Sequence, residues 1–167
     1  MIGRKYLFFK HFFALLALWS SALYAATTRD EADIEHWLTR HATRVQGAEL
    51  ARLRQRAVGD LDGDGRMDTV VLYTLKPRTA GRGESRFLVA FKRQSGALVY
   101  HGHTLVSGPG AGEANRVTVL NRIAVVEMLT YAPGDAACCP TKPTVRRYHL
   151  SAKGLALVGT ERKPRSR

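Results

Sequence analysis

The sequence predicts a mainly β domain of the α+β class, an antiparallel β meander or curved sheet of about eight short strands with one N-terminal amphipathic helix packed on it. Three observations lead to this prediction. Short segments rich in β-branched or alternating apolar residues recur between residues 51 and 158, turn residues separate them, and a single segment before them has helical periodicity. The 167 residues, 45% of them hydrophobic, fit one domain of ordinary size.

The helix is predicted to begin at a capping box and to end near Gly47. Thr28 and Glu31 have the spacing of that motif, and the apolar residues behind them recur every three or four positions. One face of the helix, which we expect to lie on a sheet, therefore carries Ile34, Trp37, Leu38, Ala42 and Val45. His36 and His41 are five residues apart, so we place them at the surface or boundary of the helix and assign them no chemistry.

The period changes to two residues after the helix. From Ala51 to Val58 every second residue shares a side, which predicts a strand with a basic face formed by Arg52, Arg54 and Arg56. The segment Thr69–Leu75 is dense in β-branched and aromatic residues and is predicted to be a central strand. A polar connection rich in glycine and proline follows it.

The second half of the chain predicts further antiparallel strands joined by tight turns. Two of them form a hairpin around residues 94–96, and a break with three glycines and a proline follows at residues 107–112. The predicted strands are Ser85–Arg93, Ala97–Val106, Arg116–Leu120, Ile123–Tyr131, Thr144–Leu150 and Leu155–Val158.

Residues 1–25 have the three parts of a secretory signal peptide. Basic residues at 4, 5 and 10 precede an apolar stretch of 15 residues at positions 12–26, whose second part is rich in small residues and contains a cleavage site predicted after Ala25. The stretch is shorter than the roughly 20 residues of a spanning helix. We therefore expect a periplasmic or secreted bacterial protein with no membrane span after cleavage, a single β-rich domain at residues 26–160 and a basic disordered tail at residues 161–167.

The mature chain is strongly basic. Cleavage removes three basic groups and no acids, which leaves 23 basic against 14 acidic side chains and a formal charge of +9. Outside the cytoplasm the expected partner is an anionic cell-envelope polymer or a partner protein, and nucleic acid is not expected. The predicted contact face contains Arg52, Arg54 and Arg56, with Arg146 or Arg147, and a merely solvated face is the alternative. The sequence makes no prediction about the oligomeric state.

Residues 60–68 carry the clearest chemical signal, an acidic turn of the form Asp-x-Asp-x-Asp-Gly-x-x-Asp. Carboxylates at its first, third, fifth and ninth positions and a glycine at its sixth are typical of a calcium loop. Four like charges this close repel by about 3 kcal/mol per pair at ~5 Å, and a divalent cation relieves the repulsion. The predicted ligands are Asp60, Asp62, Asp64, the carbonyl of Arg66, and Asp68. An acidic turn without a metal and a magnesium site are the alternatives.

The residues after this loop distinguish between calcium-loop families. An EF-hand needs a glutamate at the twelfth position and a helix, whereas Val71 stands there within a predicted strand. The stretch Gly59–Thr69 instead resembles the loop of FG-GAP/VCBS-type repeats, which bind calcium between two strands. Only one copy is present, so the resemblance covers the loop and its flanking strands. It implies a structural calcium ion and no substrate pocket.

Cys138 and Cys139 are adjacent in sequence and precede Pro140. An oxidising compartment would favour a disulfide, but their α-carbons are about 3.8 Å apart, closer than is usual for bonded cysteines, so a bond between them would be strained and easily reduced. A vicinal disulfide, two buried thiols and pairing with another chain are the alternatives, in that order. Together with the calcium-type loop, the Cys-Cys-Pro motif resembles that of a group of uncharacterised exported bacterial proteins, and the resemblance implies a compartment but no activity.

Two functions therefore follow from the sequence. The preferred one is a non-enzymatic, exported, calcium-binding β domain with a basic surface, since no nucleophile elbow, phosphate loop or zinc-protease motif is found. The alternative is a thiol or redox-active exported protein that uses Cys138 and Cys139. His101 and His103, two apart on a predicted strand, are expected on one face of it and are interpreted as edge-strand residues rather than zinc ligands.

Overall fold

The computed structural model describes residues 28–79 and 83–163, which form one helix and nine strands. The helix, α1, spans residues 28–44. A short 3₁₀ turn, Ala51–Leu53, precedes the second strand. The strands are β1 (Gly47–Glu49), β2 (Gln55–Gly59), β3 (Asp68–Pro77), β4 (Ser85–Gln94), β5 (Ala97–Ser107), β6 (Glu113–Leu120), β7 (Ile123–Thr130), β8 (Lys142–Ser151) and β9 (Gly154–Arg162).

The strands form two antiparallel sheets. In the first, β3 pairs with β4, which pairs with β5, while β1 and β2 lie end to end along the other edge of β3. The second is the meander β6-β7-β8-β9. The fold class is thus the predicted one, mainly β with an N-terminal helix, although there are nine strands rather than about eight, and they stack as two sheets.

Two cores lie on opposite faces of the first sheet, and β3 contributes to both. Val70 and Leu72 pack against the second sheet, while Val71 and Tyr73 pack against α1. Every residue of β3 from Asp68 to Leu75 is buried. This explains why the predicted central strand is apolar on both faces, whereas a strand with one solvated face alternates with polar residues.

The edges of the two sheets come close where β5 passes β9. Gly102 and Gly154 face each other there, and a β-carbon on Gly102 would lie 2.7 Å from the α-carbon of Gly154. Gly154 also has a φ of +103°, a conformation that side chains rarely adopt. A side chain on Gly102 would force the strands apart, and one on Gly154 would be strained by its backbone conformation, so both glycines permit the close approach on this side of the sandwich.

The chain differs from the predicted boundaries at several strand ends, and two of these differences change the predicted basic strand and the predicted tail. Residues 51–53 form a 3₁₀ turn, in which Arg54 N donates to Ala51 O, so the predicted strand begins only at Gln55. At the other end β9 continues to Arg162, and Lys163 N donates to Pro143 O, so this part of the predicted tail belongs to the sheet. The predicted signal peptide and residues 164–167 lie outside the described residues. Within the described ranges, no helix is long and apolar enough to cross a bilayer.

His41 is buried between α1 and the first sheet, contrary to its predicted position at the surface or boundary of the helix. Its ring stacks on Trp37 with a centroid distance of 5.0 Å, and its Nδ1 lies 2.9 Å from the hydroxyl of Tyr73. Burial, and then the charges of His103 and Arg44, lower the pKa of His41 from 6.5 to about 4. The folded protein therefore holds a neutral imidazole in this core.

We expect the protein to lose stability between about pH 6.5 and pH 4 because of His41. In this window the unfolded chain binds a proton that the folded chain does not, so the free energy of unfolding falls as the pH falls, by on the order of 2 kcal/mol. Denaturant unfolding at about pH 7 and about pH 4.5 measures the difference. His41→Gln, whose carboxamide can accept the Tyr73 hydrogen bond but cannot titrate, should reduce the pH dependence, and equal pH slopes in the two proteins would contradict the assignment.

Candidate functional site

The acidic loop joins β2 to β3 and turns sharply at two glycines. Gly63 and Gly65 have φ angles of +85° and +81°, in the left-handed region that glycine adopts without steric cost. The alternation of aspartate and glycine in residues 60–65 therefore produces the bend directly. This local geometry turns the aspartate side chains back toward the loop.

The carboxylates of the loop accept hydrogen bonds from its own backbone. Asp60 accepts from Gly63 N at 2.7 Å through Oδ1 and from Gly65 N at 3.1 Å through Oδ2. Asp62 accepts from Asp64 N at 3.1 Å, an aspartate turn of the usual kind. These bonds orient the side chains before any ligand binds, and each oxygen keeps a second lone pair.

Asp68 is the buried anchor of the loop. Its side chain has no solvent exposure; Oδ2 accepts from Leu61 N at 3.0 Å and Oδ1 from Arg93 N at 2.9 Å. A buried carboxylate is costly unless it is hydrogen-bonded, so these two amides compensate for the burial of Asp68 at the start of β3. Asp68 thereby fixes both the loop and the neighbouring strand β4.

Three of the four predicted carboxylate ligands converge. Asp60, Asp62 and Asp68 each offer one oxygen within 4.8 Å of the others, a group that could hold a metal ion. Asp64 stands outside this group, because its carboxylate lies 3.2 Å from Nε of Arg66 and accepts Arg66 N at 2.8 Å. Arg66, predicted to ligate through its carbonyl, is exposed at the outer edge of the loop.

Lys92 of β4 brings a positive charge to this group. Its ammonium forms an ion pair with Asp62, and both side chains are about four-fifths buried. This contact is the main cause of the lowered pKa of Asp62 and of the raised pKa of Lys92, whose charge also interacts with Asp64 and Asp68. Sequence reasoning did not identify Lys92, which reaches the loop only because β4 pairs with β3.

Arg93, the next residue of β4, joins the loop to the helix. While its backbone amide binds Asp68, its guanidinium donates two hydrogen bonds of 2.6 Å to Asp30 in the first turn of α1. Arg56 donates to the same carboxylate at 3.1 Å. These arginines, Arg93 first, lower the pKa of Asp30. Arg93 therefore links the acidic loop to the first turn of α1.

The cysteine pair lies on another loop, between β7 and β8. Cys138 and Cys139 are exposed and are joined in a disulfide, the first of the three predicted alternatives. This loop begins with a turn at Ala132–Asp135, closed by a 3.1 Å hydrogen bond from Asp135 N to Ala132 O. The Asp135 carboxylate then accepts from Ala132 N at 2.7 Å and Thr141 N at 2.9 Å, which holds the two ends of the loop together.

The predicted basic strand face is not a row of free arginines, because two of the three pair with acidic residues of the helix and β1. Arg54 forms ion pairs of 2.7 to 3.0 Å with Glu31, Glu35 and Glu49. Arg56 binds Asp30, as described above. The 3₁₀ turn removes Arg52 from the strand, and the acidic side of α1 lies over the other two arginines.

Arginines of β8, the other predicted members of this face, also have internal partners. The guanidinium of Arg146 donates to Val106 O, and that of Arg147 forms an ion pair with Glu161. Both guanidiniums therefore contact other parts of the protein and do not form a free basic face on the second sheet.

The two histidines of β5 do not share a face, contrary to the prediction. A register shift next to Phe91 leaves His101 without a strand partner, so it forms a bulge that reverses the alternation of side chains. His101 Nε2 lies 3.0 Å from Ser151 O in β8, whereas His103 Nδ1 lies 2.8 Å from the hydroxyl of Tyr100 on the helix side. No metal cluster in the described parts of the chain includes either histidine.

His103 instead belongs to an aromatic cluster between α1 and β5 that sequence reasoning missed. Its ring lies 4.6 Å from that of His41 and 5.3 Å from that of Trp37, and Trp37 stacks on Tyr100 at 4.8 Å. A signal existed in the helix, because Trp37, Arg40, His41 and Arg44 have the spacing of one face, but their partners on β5 depend on the bulge.

Comparison of the chain with protein-family models, with curated proteins and with solved structures finds no match. The proposals below therefore depend on the geometry and the sequence alone.

Proposed function

We propose that this chain is an exported β domain that binds calcium in the acidic loop, where the ion fastens β2 to β3 and has a structural role. The observation that carries the proposal is the convergence of one oxygen each from Asp60, Asp62 and Asp68 within 4.8 Å. The signal-peptide pattern of residues 1–25 supports the exported location, where calcium is the abundant divalent cation.

The charge of the loop suits a divalent cation. Its four aspartates carry −4, which the ammonium of Lys92 and the guanidiniums of Arg66 and of Arg122, beside Gly63, offset only in part. The loop therefore keeps a net negative charge. An ion at the three carboxylates would remove their mutual repulsion and strengthen the attachment of the loop to β3.

The donor set favours calcium over magnesium. Calcium takes about six to eight oxygen ligands in flexible geometry, whereas magnesium prefers an octahedral shell that retains several waters. The three converging carboxylates supply part of the calcium shell. We propose that the remaining ligands of the shell are Asp64, the carbonyl of Arg66 and water. Asp64 and Arg66 belong to the same short loop as the three carboxylates.

The basic character of the mature chain supports a further part of the proposal, contact with an anionic envelope polymer or partner protein. The formal charge of +9 attracts polyanions over a distance that salt shortens. Since Arg54, Arg56 and Arg147 are paired internally, such contact would use other basic residues.

We expect calcium to raise the melting temperature of the protein above its value in chelator, since an ion that binds only the folded state stabilises it by mass action. At a calcium concentration of about 100 times the Kd, the stabilisation is about 2.7 kcal/mol, or a shift of roughly 5–10 °C for a domain of this size. Asp62→Asn, which removes one converging carboxylate, should abolish most of the shift. Glu161→Gln, which removes an acidic residue outside the loop, is the matched control.

Lys92→Gln provides the opposite test in the same experiment. The ammonium of Lys92 is ion-paired with Asp62, so its removal frees this carboxylate for the metal. Calcium binding should then become roughly three- to tenfold tighter in titration calorimetry. If calcium leaves the melting temperature of the wild type unchanged, or if Asp62→Asn keeps the full shift, the proposed site is wrong.

The exposed disulfide favours a second candidate function, thiol–disulfide exchange. Cys138 and Cys139 are bonded to each other on an open loop, where a thiolate can reach either sulfur. The two residues are the only cysteines of the chain, so every thiol signal belongs to them.

For this second function we expect that a maleimide labels the native protein only after mild reduction. We also expect that glutathione opens the oxidised pair to a mixed disulfide detectable by mass spectrometry. Cys138→Ser combined with Cys139→Ser is the negative control for labelling. A pair that stays closed in a glutathione buffer, or thiols that label without reductant, would contradict this function.

A further inference from the structure

A small polar pocket lies between the second half of α1 and β5, on the side of the first sheet opposite the second sheet. Its volume is about 190 Å³, and its walls are formed by Trp37, Arg40, His41, Arg44, Tyr100 and His103. Pockets for whole drug-sized molecules measure about 300–1,000 Å³, so this one has room for a single chemical group rather than an entire cofactor. The acidic loop contributes no residue to it.

The pocket contains two guanidinium groups without a counter-ion. Arg40 and Arg44 are exposed and lie four residues apart on α1, so they project from the same face. All 14 acidic residues of the chain are within the described ranges, and none of them forms an ion pair with either arginine. Four other arginines, Arg54, Arg56, Arg93 and Arg147, each have a carboxylate partner from another part of the fold.

A buried histidine faces the pocket with a ring nitrogen to spare. His41 is 5% exposed, its Nδ1 is used by the Tyr73 hydroxyl, and its Nε2 has no hydrogen-bond partner among the described residues. His103 is exposed, and its Nδ1 lies 2.8 Å from the Tyr100 hydroxyl, so its Nε2 is also without a hydrogen-bond partner among the described residues. Each ring therefore keeps one nitrogen that can bind a ligand in the pocket.

The walls of the pocket are rigid. Trp37 stacks on both His41 and Tyr100 with interplanar angles of 17° and 13°, and the hydroxyl of Tyr73 holds the His41 ring from below. Rotation of either imidazole would break a hydrogen bond and a ring contact at once. The two imidazole rings that line the pocket are therefore held in place, which lowers the entropy lost on binding a ligand.

We propose that this pocket binds the phosphate group of a phosphate-bearing ligand, with Arg40 and Arg44 as its charge partners and the free ring nitrogens of His41 and His103 as its hydrogen-bond partners. Planar guanidinium groups form paired hydrogen bonds with phosphate oxygens. Two unpaired guanidiniums match the charge of nearly −2 that a phosphomonoester carries at pH 7, whereas a carboxylate would leave one of them uncompensated.

The electrostatics of the pocket agree with an anionic ligand. Burial is the main cause of the lowered pKa of both His41 and His103, and the charge of Arg44 adds to it in each case. The imidazoles are therefore neutral at pH 7, and the positive charge is on the two arginines, neither of which forms an ion pair with a carboxylate of the described residues.

Titration calorimetry of the full chain with sodium phosphate tests this proposal, at constant ionic strength and with a chelator to exclude calcium. We expect saturable binding, and we expect Arg40→Gln combined with Arg44→Gln to weaken it by about tenfold or more, since each lost guanidinium removes a charge-assisted hydrogen bond. The matched control is Arg29→Gln combined with Arg52→Gln, which removes two exposed, unpaired arginines elsewhere. Its net charge is therefore the same as that of the Arg40/Arg44 double variant.

A second arm locates the source of the phosphate group. Phosphatidylcholine vesicles with and without phosphatidic acid are sedimented with the wild type and with both double variants. Selective loss of phosphate or phosphatidic-acid binding in the Arg40/Arg44 variant supports the pocket. Tighter binding of phosphate indicates a free ligand, and tighter binding of phosphatidic acid indicates a lipid-borne one.

Three results would overturn the proposal. Acetate could bind as well as phosphate, both double variants could lose binding equally, or neither probe could bind the wild type. Thermal melts of each variant, performed in parallel, show that it is folded, so a loss of binding can be assigned to the pocket. Because the titration is carried out in chelator, its outcome is independent of the calcium site.

Discussion

The burial of β3 on both faces is the constraint on which the rest of the structure depends. Its side chains alternate between the core of the sandwich, which receives Val70 and Leu72, and the core under the helix, which receives Val71 and Tyr73. Neither core can form without this strand, so its start has to be held in place. Asp68 does this, because a single buried carboxylate binds amides of the preceding loop and of the neighbouring strand. The candidate metal centre thus lies where the central strand begins.

Local signals in the sequence were sufficient for much of the fold and for the loop. The β-branched run after the acidic turn predicted β3, and residues 94–96 predicted the β4–β5 hairpin, because apolar periodicity and turn residues act over a few positions. The spacing of Asp60, Asp62 and Asp68 predicted their convergence for the same reason, since glycines between them impose the bend. The contact between Lys92 and the loop could not be predicted from local signals, because it depends on the pairing of β4 with β3.

What sequence reasoning missed depends on contacts between distant segments. Alternation predicted exposed arginines at 54 and 56, yet acids on α1 lie over them, and no local pattern shows which charges will meet. A single bulged residue, His101, reversed the predicted direction of His103 and so hid the cluster with His41. The stacking of the strands into two sheets depended likewise on close backbone contacts that patterns of hydrophobicity do not encode.

The salt bridge of Asp30 has a consequence for how the protein is made. Its two partners, Arg56 and Arg93, follow it by 26 and 63 residues, so the ribosome must complete β4 before the first turn of the helix can be anchored. Until then the helix has little beneath it and, as a short isolated segment, is only marginally stable in water. The first turn of the helix can therefore gain both of its arginine partners only after more than half of the 167 residues have been synthesised.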